Sequence, residues 1–104
     1  MKPEYKQKLR ENWKYLETNL EVDHIVELCY QKRVLEMNDR ERIKGEPSRP
    51  DRALKFLGIL MSKPDDRGYD VFLEALCDPS VGQSDIKQLL QDTEVPVPEG
   101  ELTE

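Results

Sequence analysis

The chain has 104 residues, of which 37% are hydrophobic and 37% are charged, and its formal net charge is −6. This length fits a single domain that buries a core without disulfides or metals to hold it together. Residues 92–104 hold five acidic and no basic residues, so the rest of the chain has a net charge of only −1 and lacks the basic excess of a general nucleic-acid-binding protein.

Helical spacing of apolar residues predicts two helices in the first third of the chain. The first covers about residues 3–20, and its apolar stripe consists of Tyr5, Leu9, Trp13, Leu16 and Leu20. Asp23 is a plausible N-cap of the second helix, because its carboxylate can accept backbone N–H groups at a helix start. The predicted buried residues of this helix are Ile25, Val26, Leu28 and Cys29.

A short polar helix is predicted next. Asn38 and Glu41 have the spacing of a capping box at its start, and Gly45 followed by Pro47 suits its end. Ile43 is the only apolar residue in the predicted helix. Because a helix that buries little surface gains little from packing, we expect this helix to be short and mobile.

The fourth predicted helix begins after Ser48, which has a capping-box spacing to Asp51, and Pro50 lies in its first turn, where a missing N–H costs nothing. Gly58 lies inside the helix at a cost of about 1 kcal/mol relative to alanine, and one explanation is close approach of a neighbouring helix. The predicted inward face consists of Ala53, Phe56, Leu57, Leu60 and Met61.

Two further helices complete the prediction. The fifth carries the stripe Tyr69, Phe72, Leu73 and Leu76. The sixth covers about residues 84–91 with Ser84 as its cap, and its inward residues are Ile86, Leu89 and Leu90. With no strand pattern, the predicted fold is all-α, a six-helix antiparallel bundle over residues 1–91. Residues 92–104 are predicted to form an acidic, proline-containing tail or linker.

The sequence contains no recognisable catalytic, metal or cofactor motif. His24 is the only histidine, and Cys29 and Cys77 are the only cysteines. We expect both cysteines to be small core residues in a reducing cytosol. The chain has no glycine-rich phosphate loop, no metal-ligand spacing, no signal-peptide pattern and no apolar run long enough to cross a bilayer. We therefore expect a cytoplasmic protein that is not an enzyme and has no cofactor.

Residues 52–60 (RALKFLGIL) and, after a turn, residues 68–76 (GYDVFLEAL) closely resemble helices four and five of the caspase recruitment domain (CARD). This is a death-fold family of six-helix antiparallel bundles. The resemblance extends over about residues 3–91 and is strongest over residues 46–76. Its subfamily is unresolved, because different segments are similar to the CARDs of the apoptosome adaptor, of initiator-caspase prodomains and of immune-signalling scaffolds.

The resemblance implies a function and a set of contact residues. CARDs bind other CARDs, often with a basic face of helices one and four meeting an acidic face of helices two and three. By position, the basic candidates are Arg10, Lys14, Arg49, Arg52 and Lys55. The acidic candidates are Asp23, Glu27, Glu36, Asp39 and Glu41. A chain with both faces can form head-to-tail contacts that propagate into open assemblies, which predicts a role in an apoptotic or inflammatory signalling complex.

Three alternatives stay open at this level. The first is a CARD-only regulator that caps such assemblies. The second is a small helical nucleic-acid-binding domain, and the third is a structural bundle whose surface charges only keep it in solution. The near-neutral folded part speaks against nucleic acid. The partner of the first alternative is again a CARD-containing protein, and no membrane partner is expected.

Overall fold

The computed structural model describes residues 1–64 and 66–94. Over these residues the chain is all-helical, and its helices are α1 (Pro3–Glu11), α2 (Trp13–Asn19), α3 (Val22–Gln31), α4 (Met37–Lys44), α5 (Arg49–Ser62), α6 (Arg67–Leu76) and α7 (Ser84–Asp92). The predicted all-α helical bundle is therefore confirmed, with its first helix divided in two. Most of the predicted tail, residues 95–104, lies outside the described residues.

The first predicted helix breaks at Asn12, whose backbone leaves the helical region (φ −112°, ψ 18°). The Asn12 side-chain amide donates hydrogen bonds to the Lys8 carbonyl at 2.9 Å and to the Thr93 hydroxyl at 2.8 Å. Asparagine competes with the helix for backbone hydrogen bonds, which makes it a natural breaking point. The bond to Thr93 also holds the end of α7 against this break.

The core is centred on α5, which packs against α2, α3 and α4, while α3 also packs against α6. Phe56 of α5 and Phe72 of α6 are fully buried, and their rings meet at a centroid distance of 5.6 Å. Most predicted apolar stripes are buried. The stripe members that remain partly exposed are Tyr5, Trp13, Leu28, Met61, Leu73 and Leu89. Helices packed on several sides bury more than the predicted stripe, and the additional buried residues are Val22, Ile59, Val71 and Ala75.

The N-terminal segment is attached to the start of α6. The rings of Tyr5 and Tyr69 stack almost parallel, 4.2 Å apart. The backbone N–H of Lys2 donates to the Asp66 carboxylate at 2.8 Å. Tyr69 is buried, and this burial raises the pKa of its phenol to about 12. These contacts place α1 beside α6.

The predicted helix starts are right at one position and wrong at three. Ser48 caps α5 as predicted, since its hydroxyl accepts the Asp51 N–H at 3.2 Å. The caps of α3 and α4 lie two residues before the predicted Asp23 and Asn38, so these helices begin at Val22 and Met37, and the cap of α7 lies one residue before the predicted Ser84. The spacing of Asn38 to Glu41 is therefore not a capping box.

Other contacts explain these earlier starts. At α4, the Asp39 carboxylate accepts the N–H of Glu36 at 3.1 Å. At α7, Gln83 precedes the helix, and its side chain joins two other parts of the chain. Its carbonyl oxygen accepts the Glu21 N–H at 2.8 Å and its amide donates to the Asn19 carbonyl at 2.6 Å.

Gly58 has no closely packed neighbour of the kind that would explain it, and Cys77 is not buried as predicted. Gly58 is exposed, and a Cβ at this position would meet nothing within 4 Å. The close approach is found instead at Gly68, where a Cβ would lie 3.1 Å from Leu60 Cδ1. Cys29 is buried as predicted, whereas Cys77 follows the last residue of α6 and is exposed, and both are free thiols.

Candidate protein-interaction surface

The predicted basic and acidic residues meet within the molecule at Arg52 and Asp23. Arg52 of α5 donates from Nε to Asp23 Oδ1 at 2.8 Å and from Nη2 to Asp23 Oδ2 at 3.3 Å. Its third hydrogen bond goes to the Glu46 carbonyl at 3.3 Å. This fork geometry is the strongest form of a carboxylate pair. The structure therefore joins these two residues, which were predicted to lie on separate faces.

Arg49 binds backbone rather than a carboxylate. Its guanidinium donates to the Leu20 carbonyl at 3.0 Å and to the Thr18 carbonyl at 2.6 Å. These carbonyls lie at the C-terminal end of α2, where the helix leaves its acceptors without intrahelical partners and carries partial negative charge. Arg49 thus fixes the start of α5 to the end of α2.

Glu27 of α3 is held by two basic residues of α4. Arg40 Nε lies 3.0 Å and Lys44 Nζ 2.6 Å from the Glu27 carboxylate. Hydrogen bonds from Arg40 and then Lys44 lower the pKa of this carboxyl group. Neither partner was predicted, although their spacing of four residues puts both on one side of a helix.

Asp39 lies inside the molecule rather than on the predicted acidic face. It is only 8% exposed, and its carboxylate accepts a hydrogen bond from Lys63 Nζ at 2.6 Å. Burial disfavours the charged form of Asp39, but the bonds from Lys63 and from the Glu36 N–H outweigh it and lower the pKa. Lys63 directly follows α5 and lies 24 residues after Asp39 in the sequence. No local pattern in the sequence indicates this pair.

The remaining candidates face solvent more freely. Arg10, Glu36 and Glu41 are exposed. The Lys14 side chain is 90% exposed and lies 3.1 Å from Glu17, a pair of the kind that contributes little to stability. Lys55 is half-buried beside the open space at Gly58.

The arrangement supports charge pairing and offers little for catalysis. Burial raises the pKa of the Cys29 thiol to about 12, so this thiol stays protonated at neutral pH and is a poor nucleophile. In residues 1–64 and 66–94, no three acidic, cysteine or histidine side chains are grouped so that they could hold a metal ion. No helix in the same ranges is long and apolar enough to cross a membrane.

Two comparisons with known proteins bear on the surface. A family model described as the caspase recruitment domain matches residues 6–93. No curated protein matches the chain. The matched range runs from inside α1 to the first residue after α7, so it covers the helical bundle except for the first three residues of α1.

Proposed function

Since the chain belongs to the caspase recruitment domain family, we propose that it binds other CARDs through complementary charged faces. This family consists of death-fold protein-interaction modules rather than catalysts. The complex would be an apoptotic or inflammatory signalling assembly in the cytosol. The observation that carries the proposal is the family match over residues 6–93; the placement of the charges suggests the contact residues.

Charged side chains differ in how readily they can serve a partner. Arg10, Lys14 and Lys55 on one side, with Glu36 and Glu41 on the other, make no ion pair to another helix within the described residues. They can meet a partner's charges without first giving up an internal bond. We propose them as the principal contacts.

We propose the candidates that already have internal bonds as secondary contacts. Arg49, Arg52, Asp23 and Glu27 are half-buried and would extend an existing network of charges toward the partner. Networks of several charges contribute more than isolated exposed pairs, which are worth about 0.2–1 kcal/mol each. Asp39 would support α4 from inside and would not touch the partner.

The first test reverses one charge on each proposed side. Lys55→Glu and Glu41→Arg should each weaken self-assembly and binding to a panel of purified CARDs, measured by sedimentation velocity. The double variant should recover part of the loss if the two side chains meet across a head-to-tail contact. Lys32→Glu is the matched control, because Lys32 is an exposed base outside the proposed faces. Equal binding by the control and both single variants would contradict the proposal.

The second test separates folding from binding at Arg52. Arg52→Glu alone should lower the free energy of unfolding by about 1 kcal/mol, because it replaces an ion pair by two like charges. Combining it with Asp23→Arg restores an ion pair with the charges exchanged. This double variant should regain its thermal stability but not its binding. Recovery of both properties would mean that the pair is purely structural.

Ionic strength gives an independent measurement. Raising salt from about 0.1 M to about 1 M shortens the Debye length from about 10 Å to about 3 Å. Assembly through exposed charges should weaken over this range, while an assembly held by apolar contact would keep or gain strength.

A further inference from the structure

An open cleft lies where the break between α1 and α2 meets the end of α5. It has a volume of about 450 Å³ and is lined by Arg10, Trp13 and Met61. The indole and the thioether are only partly buried, and Arg10 makes no ion pair within the part of the chain that the structure describes. An apolar hollow with an available base at its edge suits an apolar side chain that has a carboxylate beside it.

A second hollow continues this surface along the exposed side of α5. It has a volume of about 300 Å³ and is lined by residues of α4 and α5, among them Leu54, Lys55 and Gly58. Leu54, Gly58 and Met61 follow one another at intervals of four and three residues, so they lie on one side of the helix. The carboxylate of Asp39, which also lines this hollow, is already bonded to a lysine. The surface between the two hollows is therefore apolar, with bases at both of its edges.

Met37, at the start of α4, supplies a matching apolar group. It is 51% exposed, and Tyr15, at 44%, is the other large apolar residue that is exposed in the described part of the chain. Glu36 directly precedes Met37, and Glu41 lies four residues after it on the same side of α4. Both glutamates are exposed and make no ion pair in the described ranges. The start of α4 thus presents an exposed thioether with two available carboxylates next to it.

The geometry of α4 requires two molecules for this match. Asp39 and Ile43 are the buried residues of the helix, and helical spacing puts Met37 and Glu41 on the opposite side. Met37 therefore faces away from the core and cannot enter the cleft of its own chain. The cleft of one molecule can receive Met37 only from another.

We propose that Met37 of a second copy of this chain enters the cleft of Arg10, Trp13 and Met61, while Glu36 and Glu41 of that copy pair with the bases at the edges of the two hollows. This contact rests on the proposed function, because it uses the same charged faces, and it adds the occupant and an apolar anchor. It leaves a free cleft at one end and a free Met37 at the other, so it can repeat head to tail.

Trp13 reports occupation of the cleft, because it is the only tryptophan of the chain. As the concentration of the unmodified chain rises, Trp13 emission should shift to the blue and its quenching by acrylamide should fall. Met37→Ser should move this dependence to about fivefold higher concentration, which corresponds to about 1 kcal/mol, roughly the burial that remains for a half-exposed methionine. Tyr15→Ser is the matched control, because it removes the other exposed large apolar side chain.

Mixing two variants separates the methionine from the cleft. The first, Met37→Ser, keeps the cleft and its Trp13 signal. The second combines Trp13→Phe with Arg10→Glu, so it gives no tryptophan emission and has an impaired cleft, but it keeps Met37. Adding the second to the first should shift the Trp13 emission to the blue until it saturates, with no species larger than a dimer in sedimentation velocity. The same addition with Met37→Ser in both variants should give no shift.

The outcomes distinguish this contact from the proposed function. A chain that stays monomeric at every concentration, or equal emission changes in Met37→Ser and the unmodified chain, would overturn the contact. Binding to other CARDs that is lost in Lys55→Glu would leave the proposed function standing in either case. A blue shift that only another CARD produces would assign the cleft to that protein and would overturn a second copy as its occupant. Absence of both self-association and binding to the whole CARD panel would contradict the proposed function as well.

Discussion

At the residue scale, two glycines differ because of what surrounds them. Gly58 sits on an exposed turn of α5 with empty space where a Cβ would be. Gly68 is buried at the start of α6, where a Cβ would press on side chains of Leu60 and Val34 at 3.1 and 3.4 Å. The first glycine only loosens its helix, whereas the second lets α6 lie against α5.

Alanine at the two positions should therefore have opposite effects. Gly58→Ala should raise the free energy of unfolding by up to about 1 kcal/mol, the difference in helix propensity. Gly68→Ala should lower it, because contacts near 3.1 Å force Leu60 or the helix to move. Urea unfolding followed by circular dichroism measures both values. Destabilisation by Gly58→Ala would show that a neighbour occupies the open space.

At the element scale, α4 is attached more firmly than its composition predicts. Ile43 is fully buried. Two further attachments join this helix to its neighbours, namely Asp39 with Lys63 and Glu27 with Arg40 and Lys44. The expected mobility of α4 followed from counting one apolar residue, and it stays a prediction. The ion pairs are the contribution that this count leaves out.

Removing the one apolar anchor of α4 should test the balance between these contacts. Ile43→Ala should cost about 2–5 kcal/mol, the range for truncating a fully buried isoleucine. Amide hydrogen exchange should show the protection of α4 falling before that of α5. Lys44→Met is the milder comparison, since it removes one half-exposed partner of Glu27. Uniform loss of protection in all helices would mean that α4 unfolds only with the whole domain.

At the scale of the whole molecule, stability should depend on pH on the acid side. The pKa values of Glu27, Asp39 and Asp78 are lowered in the folded state. The first two bind lysine or arginine side chains, and Asp78 accepts bonds from the Ser80 hydroxyl and N–H. The folded state therefore holds fewer protons than the unfolded chain near the ordinary pKa values of 3.8 for Asp and 4.5 for Glu.

These carboxylates stabilise the fold fully at pH values above their ordinary pKa values. The stabilisation is lost as the pH falls through their lowered folded-state pKa values. Unfolding free energies should fall on acidification below about pH 4.5. Lys63→Met should lower stability at neutral pH by about 1–3 kcal/mol, because it removes the charged donor of a buried carboxylate and leaves it only the Glu36 N–H. It should also flatten the acid dependence, since the Asp39 pKa then rises. An unchanged dependence in Lys63→Met would exclude Asp39 as a contributor.

The parts of the fold that follow from local pattern were predictable, and the parts that depend on distant contacts were not. Helix periodicity, the Ser48 cap and the buried Cys29 each depend on residues close in sequence. The attachment of α7 at the Asn12 break and the pairing of the buried Asp39 each depend on a partner far along the chain, at Thr93 and Lys63. No spacing rule contains such partners.

The sequence alone determined that this chain is an all-helical bundle of the caspase recruitment domain family with abundant charge of both signs. It did so because helical periodicity and a family's residue order are properties of the linear chain. Only the tertiary structure decided which charges are already used. It paired Arg52 with Asp23, enclosed Asp39, and left Arg10, Lys14, Glu36 and Glu41 facing solvent. Whether a charge is available to a partner depends on which helix packs beside it, and that is settled by packing of the core.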